Sequence, residues 1–108
     1  MGKERNMPTL ESQFANELIK QCEKAQEVCP DYRPTRFLQN IQRFGALKAV
    51  KELLRRGQPS DGFAVLADAK RLDLSMEALV IKGRYGELFT DAEVNACFQL
   101  LCDQGYFG

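Results

Sequence analysis

The sequence predicts an all-α protein, a compact bundle of five or six short helices. Three observations predict it. Apolar residues recur every three or four positions through most of the chain, the spacing that gathers them on one face of a helix. Proline and glycine interrupt these stretches at Pro30, Pro34, Gly45, Gly57, Pro59 and Gly105. Ser60, Ser75 and Thr90 stand just ahead of apolar stretches, where a side-chain oxygen can accept from the free N–H groups of a helix start. At 108 residues the chain has room for one domain, 1–108. Its 44% nonpolar and 28% charged residues are ordinary for a globular protein and argue against a disordered or low-complexity chain.

The first helix is expected from about Leu10 to Val28, with Thr9 as N-cap. Leu10, Phe14, Leu18, Cys22, Ala25 and Cys29 make one apolar face, which Ala15 and Ile19 widen. Pro30 and Pro34 bracket Asp31-Tyr32-Arg33, which must be a non-helical link. Pro34 suits the first position of a second helix, where its missing N–H costs nothing. Phe37, Leu38 and Ile41 point inward from it, followed by Phe44, and Gly45 is expected to be a left-handed stop. A third helix carries Ala46, Leu47, Val50, Leu53 and Leu54, and Gly57 with Pro59 ends it.

A fourth helix is expected to open at Ser60 as N-cap, helped by Asp61 at its positive end, to bury Phe63, Leu66 and Ala67, and to finish near Leu72. Ser75 should cap a fifth helix from Met76 to about Ile81. The stretch Gly83 to Phe89 reads as a loop with two glycines, with a short hairpin over 78–89 as the alternative. The last helix has the strongest local signal. Thr90 and Glu93 form a capping box, and Phe89 with Val94 form a hydrophobic staple. Val94, Cys97, Phe98 and Leu101 are its core stripe. Gly105 should turn left-handed so that Tyr106 folds back toward Leu101. Six phenylalanines, Phe14, Phe37, Phe44, Phe63, Phe89 and Phe98, are expected to dominate the core.

Composition narrows the chemistry. There is no histidine, which removes the commonest general base and the commonest metal ligand together. No stretch reaches the ~20 apolar residues that span a bilayer. The start, Met1 to Asn6, lacks the apolar stretch of a secretory signal and the Ser or Thr of a myristoylation motif, so a cytoplasmic chain with no membrane partner is expected. The four cysteines, Cys22, Cys29, Cys97 and Cys102, read as small hydrophobic residues in a reducing compartment. Their gaps and helical placement fit a zinc knuckle poorly, so neither a metal site nor a cofactor is expected. A nucleophilic cysteine would lack an activating histidine.

Charge is balanced overall, with 15 basic and 15 acidic residues, but not along the chain. Residues 33–58 carry Arg33, Arg36, Arg43, Lys48, Lys51, Arg55 and Arg56 against Glu52 alone, whereas the segments on either side are acidic. The helix pair over 33–56 has helix-turn-helix proportions, and a basic helix face can follow a phosphate backbone. Arg43, Lys48, Lys51, Arg55 and Arg56 are therefore the candidate nucleic-acid-binding residues. Five phosphate contacts would give a slope near −4.5 in log affinity against log salt, at about 0.9 for each contact. Against this reading, cations at a helix C-terminus suit the dipole, Glu52 can pair along the helix, and the acidic segments can cover the basic one. Catalytic residues are not expected. The only clustered acids outside the helix-cap positions, Asp61, Asp68 and Asp73, lack a partner constellation, and Gly83-Arg84-Tyr85-Gly86 is not a phosphate loop.

From about residue 32 to 106 the chain resembles an uncharacterised bacterial helical domain family of unknown function. The resemblance rests on Pro34-Thr35-Arg36-Phe37-Leu38, on Gly45 with Ala49, and on Ser60-Asp61-Gly62-Phe63. It continues through Arg71-Leu72-Asp73-Leu74-Ser75, Glu77-Ala78-Leu79-Val80, Leu88-Phe89-Thr90 and Gly105-Tyr106. It implies a bacterial or mobile-element source and an N-terminal amphipathic helix, 1–31, that is this chain's own addition to a shared domain, 32–108. It implies no activity and no catalytic residues. The sequence thus leaves two readings: a cytoplasmic adaptor that binds a protein partner or itself, and a nucleic-acid-binding accessory protein that uses the basic helix pair.

Overall fold

The first helix, α1 (Leu10–Val28), is long because its apolar stripe runs unbroken for 19 residues. Phe14, Leu18, Cys22, Ala25 and Cys29 are all buried along it, as the spacing predicts, and the Thr9 side chain accepts from the Ser12 N–H at 3.0 Å. This is a computed structural model, and it describes residues 9–107. The expectations about the first six residues lie outside the described residues.

Five further helices follow: α2 (Thr35–Phe44), α3 (Ala46–Arg56), α4 (Phe63–Asp68), α5 (Met76–Val80) and α6 (Asp91–Asp103). Leu72–Leu74 and Gly83–Leu88 are 3₁₀ stretches, and no strand occurs among the described residues. The all-α bundle is therefore the fold. α2 and α3 pack on each other across Gly45, α1 packs on α3, and α6 lies against α3 and α5. The core closes around α5, in which all five residues are buried. Phe14 meets Tyr85 and Phe89 edge-on at 5.2 and 5.3 Å beneath α1, the offset geometry that ring quadrupoles favour.

Several boundaries differ from those expected. Ser60 does not cap α4. It is buried, and both its N–H and its hydroxyl donate to the Glu77 carboxylate, so the helix starts later, after left-handed Gly62. α4 also ends earlier, at Asp68, because Lys70 turns left-handed and the Arg71 N–H reaches back to the Leu66 carbonyl. Pro34 sits one position ahead of α2 rather than in its first turn. Gly45 has the expected positive φ, but its ψ of 152° is extended, so it links two helices directly instead of closing a left-handed cap. Residues 83–88 coil instead of looping or pairing as a hairpin. Phe44 and Phe98 point outward, whereas the other four phenylalanines named for the core are buried.

The capping box at Thr90 and Glu93 forms as expected, as does the ending at Gly105, where the Tyr106 N–H donates to the Leu101 carbonyl at 3.0 Å. Cys22, Cys29 and Cys97 are buried like small hydrophobic residues, and Cys102 is exposed. Burial pushes the Cys97 thiol up to about 12.

Candidate functional site

Three of the five candidate nucleic-acid-binding residues are engaged inside the molecule. Lys51 donates to Glu93 at 2.7 Å and lies 5.1 Å from the Phe89 ring centre. Glu93 is held in turn by the Thr90 N–H, so the cation of α3 is locked to the start of α6. Arg55 and Arg56 both reach Glu52, at 2.6 and 2.9 Å, and the Arg55 bond leads in holding that carboxyl down at about 2. Arg43 and Lys48 have no ion pair among the described residues. They flank the Phe44 ring at 5.6 and 5.8 Å, on the corner where Gly45 joins α2 to α3.

The three aspartates do not assemble. Asp61 and Asp68 border one shallow groove beside α4, while Asp73 lies in another and accepts from Arg71 at 3.1 and 3.2 Å. The carboxyl pushed upward by burial is Glu77, which is sealed in the core. Ser60 partly offsets that push by donating to it at 2.6 and 2.8 Å. That arrangement ties a turn to α5 and offers no surface to a substrate. Among the described residues, no group of three or more Cys, Asp or Glu side chains is placed to hold a metal ion.

The surface that stands out was not among the expected sites. A groove of about 610 Å³ runs between α1 and the C-terminal end of the chain, within the size range of ligand-holding clefts. Leu74, Ala78 and Ile81 line it, and Tyr106 and Phe107 form one side. Phe107 stacks on Phe98 at 4.7 Å, and Tyr106 meets Phe107 edge-on at 5.0 Å. All three rings are open to solvent: Phe98 is 48% exposed, Phe107 50% and Tyr106 38%. Exposed rings that touch one another form a patch, which single scattered apolar residues do not.

The groove is also cationic at its edge. Lys20, Lys24 and Lys82 line it together with Glu17 and Asp73. Lys82 and Arg84 share Glu17, at 3.3 and 3.9 Å, and the Tyr85 hydroxyl donates to the same carboxylate at 2.5 Å. Arg71 takes Asp73, whose carboxyl is lowered by Arg71 first and more weakly by Lys24. Lys20 has no ion pair among the described residues. Three cations and two carboxylates thus line the groove, and Arg84 and Arg71 reach the same carboxylates from beside it. These cations come from the two segments that are acidic by sequence count, which is why counting along the chain misses them. The one local signal was Lys20 and Lys24, four apart on a single face of α1.

No family model, curated protein or solved structure matches this chain.

Proposed function

We propose that this chain is a small protein-interaction module, an adaptor rather than an enzyme, and that its working surface is the patch of Phe98, Tyr106 and Phe107 with the adjoining groove. The observation that carries this reading is the patch itself: Phe107 stacks on Phe98 of α6 and meets Tyr106 edge-on, and all three rings are open to solvent. Holding apolar rings in water is unfavourable unless a partner covers them. Aromatic anchors are also the residues that contribute most to protein interfaces. The four unpaired cysteines support a reducing, cytoplasmic setting. We take the bacterial resemblance of residues 32–106 as part of the same reading.

The test compares the full chain with Phe98→Ser and Phe107→Ser. Sedimentation velocity reads self-association, and affinity capture from a bacterial lysate with the purified variants in parallel reads a partner. A self-association or a stoichiometric partner that both substitutions abolish is the expected result. If the chain stays monomeric and captures nothing that depends on the rings, the reading fails.

The Arg43–Phe44–Lys48 corner favours a second reading, contact with single-stranded nucleic acid. A half-exposed ring between two free cations can stack a base while the cations meet phosphates. With two phosphates neutralised, the salt slope on single strands should be about −1.4, far shallower than five contacts would give. Fluorescence anisotropy of a labelled oligonucleotide at several salt concentrations measures it, and a Phe44→Ala variant that binds equally well removes this reading.

A further inference from the structure

Once the rings are taken as an interface, the groove beside them indicates what kind of segment docks there. We propose that it takes an acidic amphipathic helix of a partner protein, with the partner's apolar side chains over Leu74, Ala78, Ile81 and Phe107 and its carboxylates on Lys20 and Lys24. This inference rests on the interaction-module reading and names the partner's chemistry.

Two observations argue for that occupant. Leu74, Ala78 and Ile81 with Tyr106 and Phe107 make the apolar part of a lining whose other residues are charged or polar, an arrangement that suits a helix with one apolar face and charged flanks, the helix-in-groove mode of recognition. The edge is unbalanced, with Glu17 and Asp73 already shared among Lys82, Arg84, Arg71 and Lys24, and with Lys20 in no ion pair among the described residues. An incoming carboxylate therefore meets Lys20, and Lys24 beside it, on an edge where cations outnumber the two carboxylates, while an incoming lysine adds to that excess of positive charge. Complementary charge of this kind selects partners and speeds their encounter. A nucleic acid fits less well, because its phosphates would suit the edge but its polar bases would sit on an aliphatic floor.

The probe is a fluorescein-labelled synthetic peptide of about sixteen residues, long enough to form a helix. Leucines mark one face and glutamates both flanks, and a control peptide carries lysine in place of every glutamate. Anisotropy against the full chain should show the acidic peptide binding at least about tenfold more tightly than the basic one. Raising salt should weaken it, because exposed charge pairs are screened. Lys20→Glu combined with Lys24→Glu should reverse the preference. Both positions are solvent-facing, so the fold should persist, which circular dichroism checks. Ile81→Ser should weaken the acidic peptide without reversing the preference.

The proposal is overturned if the two peptides bind alike, if neither binds, if the charge reversal changes nothing, or if an oligonucleotide takes the site in the peptide's place. These failures are separable from failure of the module itself. Ring-dependent partner capture without peptide binding would reject only this occupant, whereas loss of ring dependence would reject both.

Discussion

Gly45 joins α2 to α3 alone, whereas residues 57–62 join α3 to α4 and draw on side chains from distant parts of the chain. At Gly45 the N–H closes the last turn of α2 on Ile41, at 2.9 Å, and the carbonyl opens the first turn of α3 on Ala49, at 3.1 Å. Every contact is local, and nothing lies within 4 Å of where a Cβ would stand. The longer link is held from outside. The Tyr32 ring presses on Gly62, and Glu77 takes both donors of Ser60. One connection is thus a matter of backbone conformation alone, and the other is a piece of tertiary structure. Substitutions in the two should differ in size and in kind.

The largest effect is expected at Gly62→Ala. A Cβ there would stand 2.3 Å from the Tyr32 ring, and the φ of +83° is itself strained for any residue with a side chain. Crowding and strain together should cost about 3 kcal/mol or more in urea unfolding. Because the ring is the obstacle, adding Tyr32→Leu should recover part of the loss relative to Tyr32→Leu alone. If the double variant is no better than the sum of the singles, the steric account is wrong.

Ser60→Ala comes next, at about 2 kcal/mol, because it leaves a buried carboxylate short of one donor. Glu77→Gln tests the same contact through pH. Burial raises the Glu77 carboxyl above its ordinary value, so its contribution to stability is fully present below the ordinary carboxylate range and is lost as pH rises through the raised value. A glutamine cannot ionise, yet its carbonyl can accept the Ser60 N–H and its amide can donate to the Ser60 hydroxyl. The stability of Glu77→Gln relative to the natural chain should therefore improve steadily from acid toward neutral pH. Thermal unfolding of both proteins across that range checks the sign, and a flat difference would mean that the carboxyl titrates as it does in the unfolded chain. Gly45→Ala should cost less, about 1–2 kcal/mol, because only backbone strain opposes it. No second-site change elsewhere should rescue it.

The same contrast explains what could be read from the sequence. Thr9, Ser75, Thr90 with Glu93, Gly57 and Gly105 act on residues within about one helical turn, so spacing alone identifies them. Ser60 looks like a cap by the same rule, and only Glu77, seventeen positions on, shows that its donors go elsewhere. Phe44 and Phe98 fall at apolar positions of their helices, and spacing cannot tell that no neighbour covers them. The surface follows the same logic. The basic block over 33–58 was visible because it is contiguous, although Glu52 and Glu93 engage three of its cations. The groove was invisible because Lys20 and Lys24 of α1 come to line one surface with Lys82, and Arg84 reaches Glu17, only once α1 packs on the rest of the bundle.

The smallest effect separates residue type from geometry at two helix ends built alike. At Gly57 the Gln58 N–H returns to the Leu53 carbonyl at 3.1 Å, and at Lys70 the Arg71 N–H returns to the Leu66 carbonyl at 2.8 Å. Both central residues are left-handed, with φ of 68° and 60°. Glycine adopts that conformation freely and lysine does not, which is why the first ending was legible and the second was not. Lys70→Gly should therefore stabilise the protein by about 0.5–1 kcal/mol, a rise in Tm of a few degrees for a domain of this size. Lys70 is exposed and has no ion pair among the described residues, so little is lost with its side chain. Lys70→Ala removes the same side chain without relieving the φ, and it should gain nothing. If alanine and glycine stabilise equally, the benefit comes from removing the lysine charge, and the left-handed ending is not under strain.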